Sequence, residues 1–373
     1  MSKIFINKMI VPYTNFKKQW LDEKSNLFKI IEKVYENGQF VNEKEVEHLE
    51  KKLAKFCKVK YAVCLNSGTD ALTLGLILIG VKRGDEVITP PNSFISSTSS
   101  IIHIGAKPVF VDVENDQNIN ANLIEKAITK KTKAIMPVHL TGRVANMSKI
   151  KKISKKHKIP IIEDAAQSIG SKYNGKLAGS FGKVGCFSCH PLKNLNASGD
   201  GGFLTTNDKK IYKKALSLRN NGIENRNIVK NFGYLSRMDV LQSKILDFRL
   251  KKLNKIIKIR RGLAKIYFKN LNKKKLKLVN EKSNEFNTYH TFIIHTKKRN
   301  QLKDYLKKKG IETAIHYPIP IHLQPAAKNL KYKMGDFPTT EKHAKEILTL
   351  PINQYLKKKD ILYICKIINE FHE

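Results

Sequence analysis

From about Lys60 to Asp208 the chain alternates short apolar runs with longer segments of helical character. No other feature constrains its folding as strongly. The runs Tyr61–Leu65, Glu86–Thr89, Lys107–Val111, Ala134–Val138, Pro160–Glu163, Gly185–Ser188 and Gly202–Thr205 are too short for helices and are flanked by turn residues, so they read as strands. Strands separated by helices pair in parallel, because the crossover helix returns the chain to the edge it left. The pattern therefore predicts an α/β fold whose large domain holds a seven-stranded, mostly parallel sheet.

The flanking segments read differently. Leu27, Ile30, Ile31 and Val34 recur at helical spacing, with Gly38 as the stop, and Glu43–Phe56 reads as a second amphipathic helix. A long helix is expected from Asp239 to about Asn270, followed by strands near Tyr289–His295 and Ala314–Ile315. These imply a large domain over 1–245 and a smaller α+β domain over 246–373.

Apolar residues form 41% of the 373, enough for a sizeable core. No apolar run reaches about 18 residues and none near Met1 resembles a secretory segment, so a cytoplasmic protein is expected, with no membrane partner. The cysteines number five, too few and odd for a disulfide framework. Cys186 and Cys189 form a lone C-x-x-C in a strand-like run, where alternation sends the two thiols to opposite faces; no metal site is expected. The net charge of +38 raises nucleic acid as a partner, but the lysines are spread along the chain without interleaved aromatics. An anionic small substrate fits the charge better, and nucleic acid is not expected.

Three strand ends carry chemistry. Ligands of open α/β sheets sit beyond the carboxyl ends of the strands. After Leu65 comes Asn66-Ser67-Gly68-Thr69-Asp70-Ala71-Leu72, a small-residue turn opening a helix, whose free N–H groups suit phosphate. After Glu163 comes Asp164-Ala165-Ala166-Gln167, an acid placed to keep a pyridine nitrogen protonated. After Ser188 comes Cys189-His190-Pro191-Leu192-Lys193, a lysine among apolar and small neighbours, where desolvation would lower its pKa. Singly, these are an ordinary helix cap, an N-cap aspartate and a surface lysine. In this order they are the phosphate turn, pyridinium partner and amine that a pyridoxal 5'-phosphate (PLP) site requires.

The chain here resembles the DegT/DnrJ/EryC1/StrS family of PLP-dependent sugar aminotransferases, within the aspartate-aminotransferase-like fold type I. The resemblance runs from about Val11 to the end. It rests on Gly38-Gln39-Phe40, Gly84-to-Pro90, Pro108-to-Asp112, Pro137-to-Leu140, Glu163-to-Gln167, Lys193-Asn194-Leu195, Gly199-to-Gly202, Ser236-to-Asp239 and His316-to-His322. It implies that Lys193 carries the cofactor and shuttles the proton, Asp164 pairs with the pyridine nitrogen, and Gln167 binds the phenolic oxygen. It places Phe94 against the ring and Gly68, Thr69 and Ser188 at the phosphate. His316 and His322, in a Pro-rich loop, would reach the sugar; the alternative for both is a structural role.

The same resemblance implies transfer of an amino group, from glutamate, to a nucleotide-diphosphate-linked keto sugar, in amino-sugar biosynthesis for a surface polysaccharide or related glycan. It also implies a homodimer with sites at the subunit boundary. The composition of the loop His316-to-Gln324 is closer to members acting on 3-keto sugars. Related dehydratases replace the lysine with histidine; Lys193 favours transamination over that alternative, and over a non-catalytic basic nucleic-acid-binding protein. The chain departs from the family at Leu235, where many members place an Asn that reaches the neighbouring subunit's cofactor phosphate. Leucine donates no hydrogen bond, and Arg237 is the candidate substitute.

Overall fold

The computed structural model describes residues 11–41, 43–225 and 227–373; the expectation about the Met1 end lies outside them. Helix α1 (Phe16–Asn37) starts where the Asn15 side chain accepts from the Lys18 amide and stops at Gly38, whose φ of +62° is left-handed. Leu27 and Val34 are buried on its inner face, beside Gln19 and Glu23. Next come α2 (Glu43–Cys57), β1 (Tyr61–Leu65), α3 (Gly68–Leu78), β2 (Glu86–Thr89), α4 (Ser96–His103), β3 (Lys107–Phe110), β4 (Thr132–Ile135), α5 (Met147–His157) and β5 (Ile162–Asp164). The short β6 (Lys172–Tyr173) and β7 (Lys176–Leu177) precede β8 (Val184–Ser188), β9 (Gly202–Thr206) and α6 (Lys209–Leu218). The small hairpin β10 (Ile223–Asn225) and β11 (Ile228–Val229) leads to α7 (Val240–Leu250) and α8 (Leu253–Asn270). The chain finishes with β12 (Glu285–Phe286), β13 (Phe292–His295), α9 (Arg299–Lys308), α10 (Pro338–Glu346), β14 (Ile347–Leu350) and α11 (Lys358–His372).

The α/β expectation holds, and the expected strands lie close to the residues read for them. They do not form one uninterrupted seven-stranded ladder. β3-β2-β4 make a parallel three-stranded sheet and β1-β9-β8-β5 a four-stranded one, in which β9 runs against its neighbours. Between β4 and β5 only the isolated parallel bridges Ile135↔Ile161 and Val138↔Asp164 join the two sets. Pro137 and Pro160 sit at that seam. Each accepts through its carbonyl, from the Asp164 and Ile135 amides, but has no N–H to return.

α3 lies buried against the sheet and is apolar nearly all round, with Ala71, Leu72, Leu74, Leu76 and Leu78 covered. Cys186 packs in the cluster around this helix, while Cys189 packs in the cluster under α2 and α5, so the sheet separates the two thiols as alternation requires. The cysteines among the described residues are free and buried.

The long helix expected from Asp239 to Asn270 is two helices, broken at Lys251-Lys252. No Gly or Pro marks the break. α7 packs on α1 and α2, whereas α8 packs on α11, so a change of partner decides it. β14 was not legible, since α10 runs directly into it with no turn residue between. It pairs antiparallel with β13, while the expected strand at Ala314–Ile315 is only the bridge Ala314↔Thr349.

Under that sheet His295 and His343 meet edge to face, ring centroids 4.8 Å apart, at 3% and 2% exposure. Burial draws His295 down to about 3, helped by the His343 ring, Lys277 and Lys342, and draws His343 to about 4, helped by Lys277 and Lys342 and opposed by Asp112. The folded state thus binds these protons less readily than the unfolded chain, whose histidines titrate near 6.5. Their contribution is complete above about pH 6.5 and is lost as pH falls towards about 4, at up to about 1.4 kcal/mol per pH unit for each ring. Urea unfolding should show a midpoint that drops between pH 7 and pH 5. His343→Leu should flatten that drop by about half; an unchanged slope would rule the pair out as its cause.

Candidate active site

β1, β8, β5, β4, β2 and β3 point the same way, so their carboxyl ends meet at one edge. There a cavity of about 400 Å³ opens. Its wall includes Gly68, Thr69, Phe94, Asp164, Gln167, Ser188, Lys193 and His316, which come from segments spread over nearly 250 residues.

At one end is the first turn of α3. Ser67 caps it, taking the Asp70 amide on its hydroxyl at 3.0 Å and the Ala71 amide on its carbonyl. The amides of Gly68 and Thr69 have no acceptor within the helix and carry the positive end of its dipole. The Thr69 and Ser96 hydroxyls lie 2.8 Å apart beside them. A Cβ on Gly68 would stand 2.6 Å from that of Ser188, and one on Gly202 2.3 Å from the backbone of Ser67. Glycine at both positions lets β8, β9 and α3 close into a cradle of amides and hydroxyls, the donor set a phosphate monoester takes.

Asp164 closes β5 at 5% exposure. One carboxylate oxygen accepts from Ser97 at 2.6 Å and the other from the Ala166 amide at 3.2 Å, so the group is fixed, and no ion pair joins it among the described residues. Behind it, buried Glu163 accepts from the amides of Gly179, Phe181 and Gly182 and from His139, which anchors β5.

Lys193 sits half-buried in the loop after β8. Burial pulls its amine down to about 8, while Asp164 and then Cys189 pull the other way. The loop is held from below. Arg249 donates to the carbonyls of Asn196 and Ala197 at 2.8 and 3.0 Å, is paired with Glu23 of α1, and Asn196 exchanges hydrogen bonds with Gln19.

Gln167 accepts the Thr141 amide at 2.8 Å and turns its amide nitrogen to the Tyr317 hydroxyl at 3.4 Å. Phe94, weighed against a core role, is 56% exposed at the cavity, with the Tyr317 ring 6.1 Å away. The donor set fits PLP: a neutral-tending amine, a fixed buried carboxylate, an open aromatic face and an anion cradle.

His322 does not reach this cavity. Its ring is 2% exposed, with Nε2 3.1 Å from Glu341, which also accepts from the Gly335 and Phe337 amides. The ring holds a loop of the C-terminal part, which is the structural alternative. His316 does line the cavity, with Nδ1 3.0 Å from the Thr349 hydroxyl and its pKa drawn down to about 4, chiefly by burial. Arg237 donates to Asn220 at 3.3 Å on the surface, near Leu235, which is 63% exposed.

Sequence reasoning missed Ser97, Tyr13, Arg260, His290 and Tyr317. The serine-rich run from Ser93 to Ser100 was a signal for the first, since so polar a short helix beside a buried acid has hydroxyls to spend. Tyr317 lay beside a residue already singled out. Nothing local marked the other three.

A model of the DegT/DnrJ/EryC1/StrS aminotransferase family matches residues 21–369. The chain belongs to this family. It is 38% identical to the pleiotropic regulatory protein of Geobacillus stearothermophilus, covering 98% of this chain and 99% of that one. It is 35% identical to the UDP-2-acetamido-2-deoxy-3-oxo-D-glucuronate aminotransferase of Pseudomonas aeruginosa, over 95% and 99% of the two chains. The solved structure of S. venezuelae DesV in complex with a ketimine intermediate superposes with a TM-score of 0.94 at 34% identity, covering 98% of this chain and 99% of that one.

Proposed function

We propose that this chain is a PLP-dependent aminotransferase that moves an amino group from glutamate to the keto carbon of a nucleotide-diphosphate sugar. Its product would be an amino sugar for a surface polysaccharide or related glycan. The observation that carries this reading is the Lys193 amine, drawn down to about 8, in one cavity with the fixed Asp164 carboxylate and the open first turn of α3. Bound PLP supplies an aldehyde that condenses with amines and a pyridinium ring that draws electrons from the substrate carbon.

The chain's own residues do the rest. Asp164, aligned by Ser97, favours a proton on a ring nitrogen facing it. The Gly68 and Thr69 amides, with the Thr69 and Ser188 hydroxyls, hold the phosphate, and Phe94 covers one ring face. The amide nitrogen of Gln167 faces the cavity as a donor to the phenolic oxygen. Lys193 Nζ would take the proton from the donor's α-carbon as base and deliver it, as acid, to the carbon of the cofactor that had carried the aldehyde. A histidine could not anchor the cofactor as this lysine can, which favours transamination over dehydration.

A homodimer completes the reading. Phe94 and Leu192 are exposed at the cavity, and Ile228, Val229, Phe232, Tyr234 and Leu235 project around the β10–β11 hairpin, with Phe232 fully exposed. Apolar surface so exposed calls for a covering partner. No helix among the described residues is long and apolar enough to cross a membrane, and the substrates proposed are cytoplasmic.

The decisive assay incubates the PLP-loaded protein with glutamate and a panel of 3-keto and 4-keto nucleotide sugars, reading 2-oxoglutarate and amino sugar together. Equal amounts of both, with a 3-keto sugar, are expected. Loss of water from the sugar without 2-oxoglutarate would replace transamination by dehydration.

A further inference from the structure

A hollow in the C-terminal part plays no role in the chemistry above. It measures about 710 Å³ and shares no residue with the wall of the Lys193 cavity. Seven of its fourteen wall residues are lysines. Lys273, Lys274, Lys275 and Lys277 come from the loop after α8, Lys297 and Lys298 from the turn between β13 and α9, and Lys342 from α10. All seven are exposed, and none pairs with a carboxylate of a described residue. Elsewhere exposed lysines find such partners, as in Lys18–Asp22, Lys51–Glu47, Lys156–Glu125 and Lys366–Glu370. Glu346 is the one acid among the wall residues.

A bias of the sequence towards lysine does not produce this arrangement, because three segments distant in the chain converge on it. Burial lowers His372, and Lys298 and Lys275 lower it further from two of those segments. Behind burial and the His343 ring, Lys277 and Lys342 act in the same way on His295, from the loop and from α10. Ammonium groups from separate segments therefore act on one small volume. α9 opens from Lys298 with no side-chain cap and no acid in its first turn, so the positive end of its dipole adds to the field.

Like charges gathered in this way repel, and a concave wall focuses their field into the hollow. An anion relieves the repulsion. Lysines on three sides, each at the end of a flexible stem, suit a chain of linked phosphates better than one compact ion. No Phe, Tyr or Trp stands in the wall to stack on a base, so the phosphates themselves must carry recognition.

We propose that this hollow is a second ligand site, which binds an oligophosphate anion through the ammonium groups of Lys275, Lys298 and Lys342. The site stands apart from the Lys193 cavity and does not depend on the reaction assigned there.

The test titrates inorganic triphosphate into the PLP-loaded chain at a constant ionic strength of about 0.1 M, reading heat and Tm. One triphosphate per chain should bind, raising Tm with concentration and leaving the absorbance of the cofactor unchanged. Adenosine triphosphate should displace it at about the same concentration. Reversing one lysine per segment, in Lys275→Glu with Lys298→Glu and Lys342→Glu, should weaken binding about 100-fold. The milder set with Gln at the same positions should weaken it about tenfold. Lys209→Glu with Lys213→Glu and Lys214→Glu, at exposed positions of α6, makes the same change in net charge. That set should cost no more than about threefold. Equal weakening by the two charge reversals would reduce the effect to net charge and overturn the site. Absence of triphosphate binding in wild type, or displacement of PLP by triphosphate, would do the same. RNA oligonucleotides whose affinity grows with length beyond that of triphosphate would mark a nucleic-acid surface instead, and would also overturn the proposal.

Discussion

Lys193→Ala should abolish amino transfer, lowering kcat by about four orders of magnitude, while leaving the fold intact. The side chain makes no hydrogen bond to a described residue and its amine is held against a desolvation penalty, so its removal breaks no polar contact of the fold. The variant's Tm should stay within a few degrees of wild type. What disappears is the nucleophile and the proton carrier together, and such roles contribute about 10²–10⁴-fold apiece. The variant should stay colourless with PLP, and borohydride should fix no cofactor to the chain. The wild-type protein offers a pH signature of the same group. With its amine near 8, capture of PLP should quicken as pH rises through 8 and level off above it, because only the neutral amine attacks. An active Lys193→Ala protein, or capture independent of pH across that range, would remove the lysine from the site.

Asp164→Asn should be nearly as damaging, with kcat lower by about 10³-fold and PLP held more weakly. Asparagine matches the volume, so a packing effect is small. The charge is what changes. Asp164 takes a donor on each oxygen, Ser97 at 2.6 Å and the Ala166 amide at 3.2 Å. An amide has one acceptor oxygen, so its nitrogen must then face one of those donors, and the neutral group no longer favours a protonated ring. Ser97→Ala, which leaves the charge but frees its orientation, should cost about tenfold. The two variants, ordered by kcat and by PLP affinity, separate charge from alignment. An Asp164→Asn protein with wild-type kcat would show that the carboxylate has no electronic role.

The cofactor end of the site was legible because each part lies at the end of its own strand. Gly68, Asp164, Ser188 and Lys193 are fixed by local rules: a helix start, a strand end and a turn after a strand. The acceptor side was less legible. His316 and His322 looked alike in one Pro-rich loop, yet one lines the cavity and the other is clamped by Glu341, nineteen residues on. No local pattern distinguishes them, because the contact that decides is made by a helix folded back onto the loop.

The sequence by itself determined the α/β class, most strand positions and the order phosphate turn, acid, lysine, because periodicity and turn chemistry act over a few residues. Tertiary structure alone decided the seam at Pro137 and Pro160, the break between α7 and α8, and the pairing of β14. It also decided that Tyr13, Arg260 and His290 enter the wall around Lys193. Those outcomes depend on which surfaces meet after the chain has folded, and a hollow walled by lysines becomes visible only when every segment that builds it is in place.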